Sequence, residues 1–318
     1  MPRDKNTPSI LEANILFLFI ALLLLTLGAR AQYKEIYTGL LITEYLIIFM
    51  PILLFLKLNN YSISHTFRLN KVNFKQILLT ILIVLSSYPV AVFFNFIGLT
   101  LLNRFTQIRP NPIPIPSNPR EYILGFLIIA LTPGICEEVM FRGLIMTSYD
   151  SFGRKKAIIY SAILFGIFHF NAQNLLGPIY LGLLFGIIAY KTDSIYPTII
   201  GHTANNTIAL TIGYFATRAE QIVELNMENI NMPEMGEMVA AFFGLGVLAL
   251  IFGFVSFKLI RLMPTRENNE VLEINTFIQG ENLLEDLDNK KGMSIMEAFP
   301  IFIVMIIFII WNYKFLFI

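Results

Sequence analysis

The chain is a succession of apolar runs, each near the length of a helix that crosses a bilayer, separated by short polar segments. ILFLFIALLLLTL at 15–27 and IFIVMIIFII at 301–310 are the plainest examples. A spanning helix needs about 20 apolar residues, with roughly 17 to 25 the usual range. By that rule the spans fall near 10–29, 36–58, 74–103, 121–147, 157–173, 175–190, 194–216, 239–260 and 297–313. In hydrocarbon every backbone polar group must find a partner within the protein, which leaves helices and closed barrels as the possible spanning structures. The short alternating segments of a barrel are missing here and long Leu, Ile and Phe runs take their place. The expected fold is therefore all-α, a polytopic membrane helical bundle with about nine transmembrane helices and a range of eight to ten.

Composition agrees: 56% of the residues are hydrophobic and 14% charged, against roughly 25% charged in an ordinary soluble domain. A net charge of +1 supplies no field for nucleic acid, so nucleic-acid partners are not expected. A single cysteine, Cys136, excludes an intrachain disulfide framework and any metal site built from cysteines alone. Membrane lipid is the one partner that composition demands, and the oligomeric state is left open.

Lysine and arginine between the runs set the expected orientation. The amino terminus and the loops on its side hold Arg3, Lys5, Lys57, Arg68, Lys71, Lys75, Arg154, Lys155 and Lys156 among others, and the opposite side holds fewer. This places the amino terminus in the cytoplasm of a multi-pass protein, expected in a bacterial cell membrane. Arg3 and Lys5 before an apolar run, with Gly28-Ala29-Arg30-Ala31 after it, imitate a signal peptide. The run is long for that purpose and further spans follow, so an uncleaved first helix is the plainer reading. The segment RFTQIRPNPIPIPSNPR at 104–120 is proline-rich and expected to be extended. The polar, acid-rich stretch 264–296 reads as a solvated linker. The expected organisation is one integral-membrane domain over 1–318. Residues 121–216 form its central part, with accessory helices in 1–120 and again in 217–318.

Within the fourth span, TPGICEEVMFRG at 132–143 carries Glu137, Glu138 and Arg142. A charge at the bilayer centre costs about 2.5 to 3.5 kcal/mol even on the lenient insertion scale, so these three need compensation. Glu138 and Arg142 are four residues apart, roughly 40° around an α-helix, with the acid on the amino-terminal side, the favourable order for an ion pair. Glu137 lies roughly 140° from Arg142 and needs another partner. Two histidines fall in spans: His169 ends LFGIFHF, and His202 opens HTANN with Asn206 on the same helix face. If the turn after the fourth helix centres near residue 152, Glu137 and His169 stand at similar depth in antiparallel neighbours.

A carboxylate sheltered from water can act as a general base, and paired with histidine it can deprotonate water. The imidazole of His202 and the amide of Asn206 are suited to hold an oxyanion. The same atoms have a second use, because Glu137, His169 and His202 match the ligand set of a catalytic zinc. HEXXH and GXSXG are both absent. Two non-hydrolytic readings also stay open. One is a membrane scaffold or immunity protein whose polar network specifies packing; the other is a proton-coupled transporter that uses the carboxylate and histidines as a relay.

EEVMFR at 137–142, FGIFH at 165–169 and HTANN at 202–206 fit EEXXXR, FXXXH and HXXXN in order. In this the chain resembles the CPBP family, which contains the type II CAAX prenyl endopeptidases and the bacterial Abi and bacteriocin-processing proteins. The resemblance covers about residues 121–216. It implies an intramembrane, glutamate-dependent endopeptidase acting on a membrane-associated protein or peptide, without a cofactor. By matching positions it implies that Glu137 and His169 activate water and that His202 and Asn206 form the oxyanion hole. Glu138 and Arg142 are implied to support the site, with Glu138 orienting a catalytic partner.

Overall fold

A computed structural model describes residues 7–109, 113–223, 235–266 and 292–317. Among them the regular structure is helical throughout, with no strand. The first helix, α1 (Ile10–Lys34), and α2 (Ile36–Leu58) form a hairpin. Its ends are written locally: Ser9 and Glu12 make a reciprocal capping box at the start of α1, with Ser9 N donating to Glu12 Oε2 at 2.8 Å. Glu35, extended at φ −156°, stops α1 and caps α2 by accepting from Tyr37 N and Thr38 N at 3.0 and 2.6 Å. Hydrogen bonds from Thr38 and Tyr37 hold the Glu35 carboxyl below its usual range. The hairpin closes tightly because residue 39 is glycine; a Cβ there would stand 2.4 Å from the Gln32 backbone.

The third helix, α3 (Phe74–Leu102), continues through Pro89. The fourth, α4 (Pro119–Phe152), starts where Asn118 accepts from Glu121 N at 3.0 Å and Pro119 fills the first helical position. It runs beyond the expected end near 147 until Gly153, at φ 86°, turns the chain, close to the expected turn. Then follow α5 (Arg154–Phe168), α6 (Leu176–Thr192), α7 (Tyr196–Val223), α8 (Met235–Leu262) and α9 (Ile295–Phe317). Two expectations change here. The fifth helix ends at Phe168, short of 173, because Phe170 takes a left-handed φ of 46° and Asn171 caps a separate turn by accepting from Gln173 N. His169 thus stands at the helix end and not within a span. The linker expected at 264–296 lies mostly outside the described residues.

Among the described residues, six helices are long and apolar enough to cross a membrane: α1, α2, α3, α4, α8 and α9. The remaining three of the expected spans do not meet that measure. α5 has 15 residues and α6 has 17, and α7 carries HTANNT through its middle. These three are the helices that pack inward: α5 on α6, α6 and α7 on α3, and α7 on α4. Helices of mixed polarity are tolerated at membrane depth when other helices cover them. In the best window of α8 only 6% of residues are buried and in that of α9 17%, against 44% in α3 and in α4. The polar helices and α4 therefore form the inside of the bundle, and α8 and α9 its outer wall.

At one end of the bundle Arg68 gathers three connections. It donates to Asp150 Oδ2 at 2.5 Å and to Asp193 Oδ1 at 3.1 Å, and its guanidinium lies 4.7 Å from the Tyr190 ring centre. Burial pushes the Arg68 guanidinium toward losing its proton, but Asp150, Tyr190 and Asp193 outweigh it and hold the proton more firmly than usual. The cluster ties the α2–α3 loop to the end of α4 and the turn after α6.

Candidate active site

The site begins with a break in the regular hydrogen bonding of α4. Pro133 has no N–H to give the carbonyl four residues back, that of Ile129. Asn206 Nδ2 of α7 takes that carbonyl at 3.3 Å. The neighbouring Asn205 Nδ2 donates to Asn206 Oδ1 at 3.1 Å, so the Asn206 amide is held from both sides and retains one N–H. The two helices meet this closely because of Gly134. A Cβ there would lie 2.3 Å from Thr203 Oγ1 and 3.1 Å from Thr203 N, the small-residue contact typical of membrane helices.

Immediately after Glu138 the backbone changes from α-helical to π-helical, over Val139–Ile145. Such insertions are frequent at functional sites. The Glu138–Arg142 pair read from the sequence is present across this change, with Arg142 Nη1 2.7 Å from Glu138 Oε1 and both side chains fully buried. Arg142 reaches further, to Gly182 O at 3.3 Å, and its guanidinium lies 4.7 and 5.2 Å from the Phe165 and Phe185 ring centres. Two aromatic faces thus stabilise a cation that lipid would reject.

Glu138 Oε1 has a second partner. His202 Nδ1 stands 2.9 Å from it, and because the carboxylate accepts, Nδ1 carries the proton. That fixes the ring and aims Nε2 at Glu137, whose Oε2 is 3.9 Å away. The Phe185 ring stacks on this imidazole at 5.6 Å. Glu137 is nine-tenths buried, and its Oε2 has no hydrogen-bond partner.

His169 is exposed at the end of α5. Its Nδ1 lies 2.8 Å from Phe165 O; a carbonyl can only accept, so a neutral ring keeps its lone pair on Nε2. The Phe165 ring is edge-on to both imidazoles, 5.1 Å from His169 and 5.6 Å from His202. The loop after His169 is tied down by Ala172 N donating to Asn312 Oδ1 at 2.7 Å and by Gln173 bonding both main-chain groups of Arg109. Among the described residues no hydrogen bond joins Glu137 to His169, and the imidazole that approaches Glu137 belongs to His202. No three His, Cys, Asp or Glu side chains gather as a metal site among the described residues. The set Glu137, His169 and His202 is thus not assembled as zinc ligands in this conformation.

Buried polar atoms in proteins normally have partners. Here Glu44 Oε2, Glu137 Oε2, Glu138 Oε2, Arg142 Nε, Thr203 Oγ1 and Asn205 Oδ1 have none. All but Glu44 lie on α4 or α7, and Thr66 Oγ1 and Ser148 Oγ are partnerless as well. Three contributors escape a reading of the sequence: Glu44, Asn205 and Gly134. Glu44 has a usable signal, an acid alone in the apolar run of α2. Gly134 has none, because close approach of two helices leaves no mark on one of them.

Residues 119–208 match the family model for the type II CAAX prenyl endopeptidase, Rce1-like. No curated protein and no solved structure matches the chain. The matched stretch begins at the first residue of α4 and ends just past HTANN in α7, so Glu137, Glu138, Arg142, His169, His202 and Asn206 all lie inside it. Residues 119–208 are thus similar to the Rce1-like type II CAAX prenyl endopeptidase family, whose members are peptide hydrolases.

Proposed function

We propose that the protein is an intramembrane endopeptidase that hydrolyses a peptide bond in a membrane-associated protein or peptide with water activated by Glu137 and His169. The observation that carries this reading is the arrangement of His202, bound to Glu138 through Nδ1 and directed at the partnerless Glu137 Oε2 through Nε2. Glu137 accepts a proton from water as the oxygen attacks the scissile carbonyl, and His169 Nε2, free of the Phe165 bond, exchanges protons at the open side. A second proton on His202 makes Nε2–H a donor to the oxyanion beside the remaining N–H of Asn206. It also brings Glu137, Glu138, Arg142 and His202 to zero net charge, which a site shielded from water requires. The catalytic core occupies 121–216, nine helices cross or enter the membrane, and the outer helices are accessory. The amino terminus faces the cytoplasm.

Comparative peptidomics of membranes carrying the wild-type protein or Glu137→Ala tests this. Peptides should accumulate or disappear only with the wild-type protein, and His169→Ala should behave as Glu137→Ala does. Retained cleavage in either variant, with the protein folded in the membrane, removes the reading. Elemental analysis with activity after chelation tests the metal-free assignment; stoichiometric zinc and chelator-sensitive cleavage would overturn it.

A further inference from the structure

The turn that follows His169 is held against its own backbone preference. Phe170 takes φ 46°, a left-handed conformation that a bulky residue adopts only where its surroundings impose it. It is 5% exposed, and its ring centre lies 6.3 Å from that of Phe308 on α9. Two residues on, Ala172 N donates at 2.7 Å to Oδ1 of Asn312, also on α9. Phe308 and Asn312 are four residues apart and share one helix face, and Asn312 Nδ2 donates to Phe308 O at 2.9 Å. A ring and an amide from a single helix thus grip the turn at and just beyond the strained residue.

The sequence of α9 marks that amide as an exception. Residues 298–311, AFPIFIVMIIFIIW, are apolar without interruption, and Asn312 follows them as a buried side chain. A buried amide is costly unless it is hydrogen-bonded; here the nitrogen stays on its own helix and the oxygen reaches the turn after His169. The support is itself anchored at both ends. Asn14 Nδ2 of α1 donates to Glu297 O at 2.8 Å, and the Arg109 guanidinium lies 5.0 Å from the Phe315 ring centre. His169 stands between α5 and this turn, with Nδ1 2.8 Å from Phe165 O on the helix side. Helix ends fray, so the place of the imidazole depends on whether the turn keeps its shape. Gln173 ties the far side of the turn to Arg109; Phe170 and Ala172, nearer His169, are the residues that α9 touches.

We propose that Asn312 and Phe308 are positioning residues of the site, through which α9 holds the turn at 170–172 in its strained form and fixes His169 where it exchanges protons. This rests on the reading of His169 as the partner of Glu137 in activating water.

Hydrogen exchange of the full-length protein in lipid nanodiscs reads the grip without a substrate. Asn312→Leu keeps the bulk of the side chain and removes the acceptor; it should speed exchange in a peptide spanning 169–174 by about tenfold or more and leave the other helices unchanged. Asn312→Asp keeps an acceptor oxygen and should retain the wild-type protection. On a substrate identified by peptidomics, Asn312→Leu should lower kcat by about tenfold or more with KM near wild type, and Asn312→Asp should restore most of it. Unchanged exchange or unchanged kcat in Asn312→Leu overturns the proposal. So does an equal loss in both variants that follows a fall in the unfolding midpoint, the signature of an amide that serves packing alone. Phe308→Leu serves if Asn312→Leu does not fold: it removes the ring from Phe170 and should give the same loss of kcat at unchanged KM. If His169→Ala cleaves as wild type does while exchange responds as expected, it is the assignment of His169 that fails, and the two failures are told apart.

Discussion

Two arginine-centred charge clusters in this molecule are built from the same chemistry and differ in their surroundings. Arg142 and Glu138 are fully buried, flanked by Phe165 and Phe185 and joined to His202. Arg68 sits at the end of the bundle, with Asp150 and Asp193 about two-fifths exposed. Water shares the second cluster and screens it; no water shell relieves the first. A charge in the inner cluster is thus tolerable only while every partner is in place, and that requirement makes it a precise holder for His202. The outer cluster has no such requirement and acts as a tie between loops.

The largest effect that separates the two clusters is chemical. Glu137→Gln keeps the shape of the side chain and removes the base, so cleavage should fall by about 10²–10⁴-fold while thermal unfolding in detergent stays near wild type. Arg68→Ala should leave cleavage nearly intact. Next comes stability within the inner cluster. Glu138→Gln leaves Arg142 uncompensated in the interior, a loss of about 3–5 kcal/mol that thermal or denaturant unfolding will read. An unchanged midpoint would mean that the cluster is wetter than its burial indicates. Gly134→Ala should cost about 1–3 kcal/mol by forcing α4 from α7, with cleavage falling further than stability because Asn206 moves with α7. Arg68→Ala should cost about 1 kcal/mol or less, since two of its partners are exposed. The smallest effect is its salt dependence: raising ionic strength should shrink the difference between wild type and Arg68→Ala and leave the Glu138→Gln difference unchanged. Equal salt sensitivity in both would erase the distinction between the clusters.

The Glu138–Arg142 pair is legible in the sequence because it is a one-helix property, spacing on a cylinder in a medium that punishes lone charges. The turn near residue 152 is legible for a similar reason, since the polar run from Asp150 to Lys156 interrupts the apolar pattern. The neighbour of Glu137 is not. Depth counting makes His169 and Glu137 level, but level residues on two helices can still face apart. His169 turns outward as α5 ends, and His202, 65 residues after Glu137, fills the position instead. Apolar length misjudges the short and polar helices as independent spans because it is a test for helices that meet lipid. α5, α6 and α7 meet mainly other helices.

Composition and periodicity are sufficient for an all-helical membrane chain, the inner ion pair and the motifs that carry the family resemblance, because each depends on a residue's neighbours along the chain and on the solvent. Which imidazole meets Glu137 and how Pro133 frees the Ile129 carbonyl for Asn206 depend on the rotation and register of separate helices. Those are set by close contacts such as Gly134 against Thr203, where a clash of a single methyl group selects the arrangement and leaves no periodic trace in the sequence.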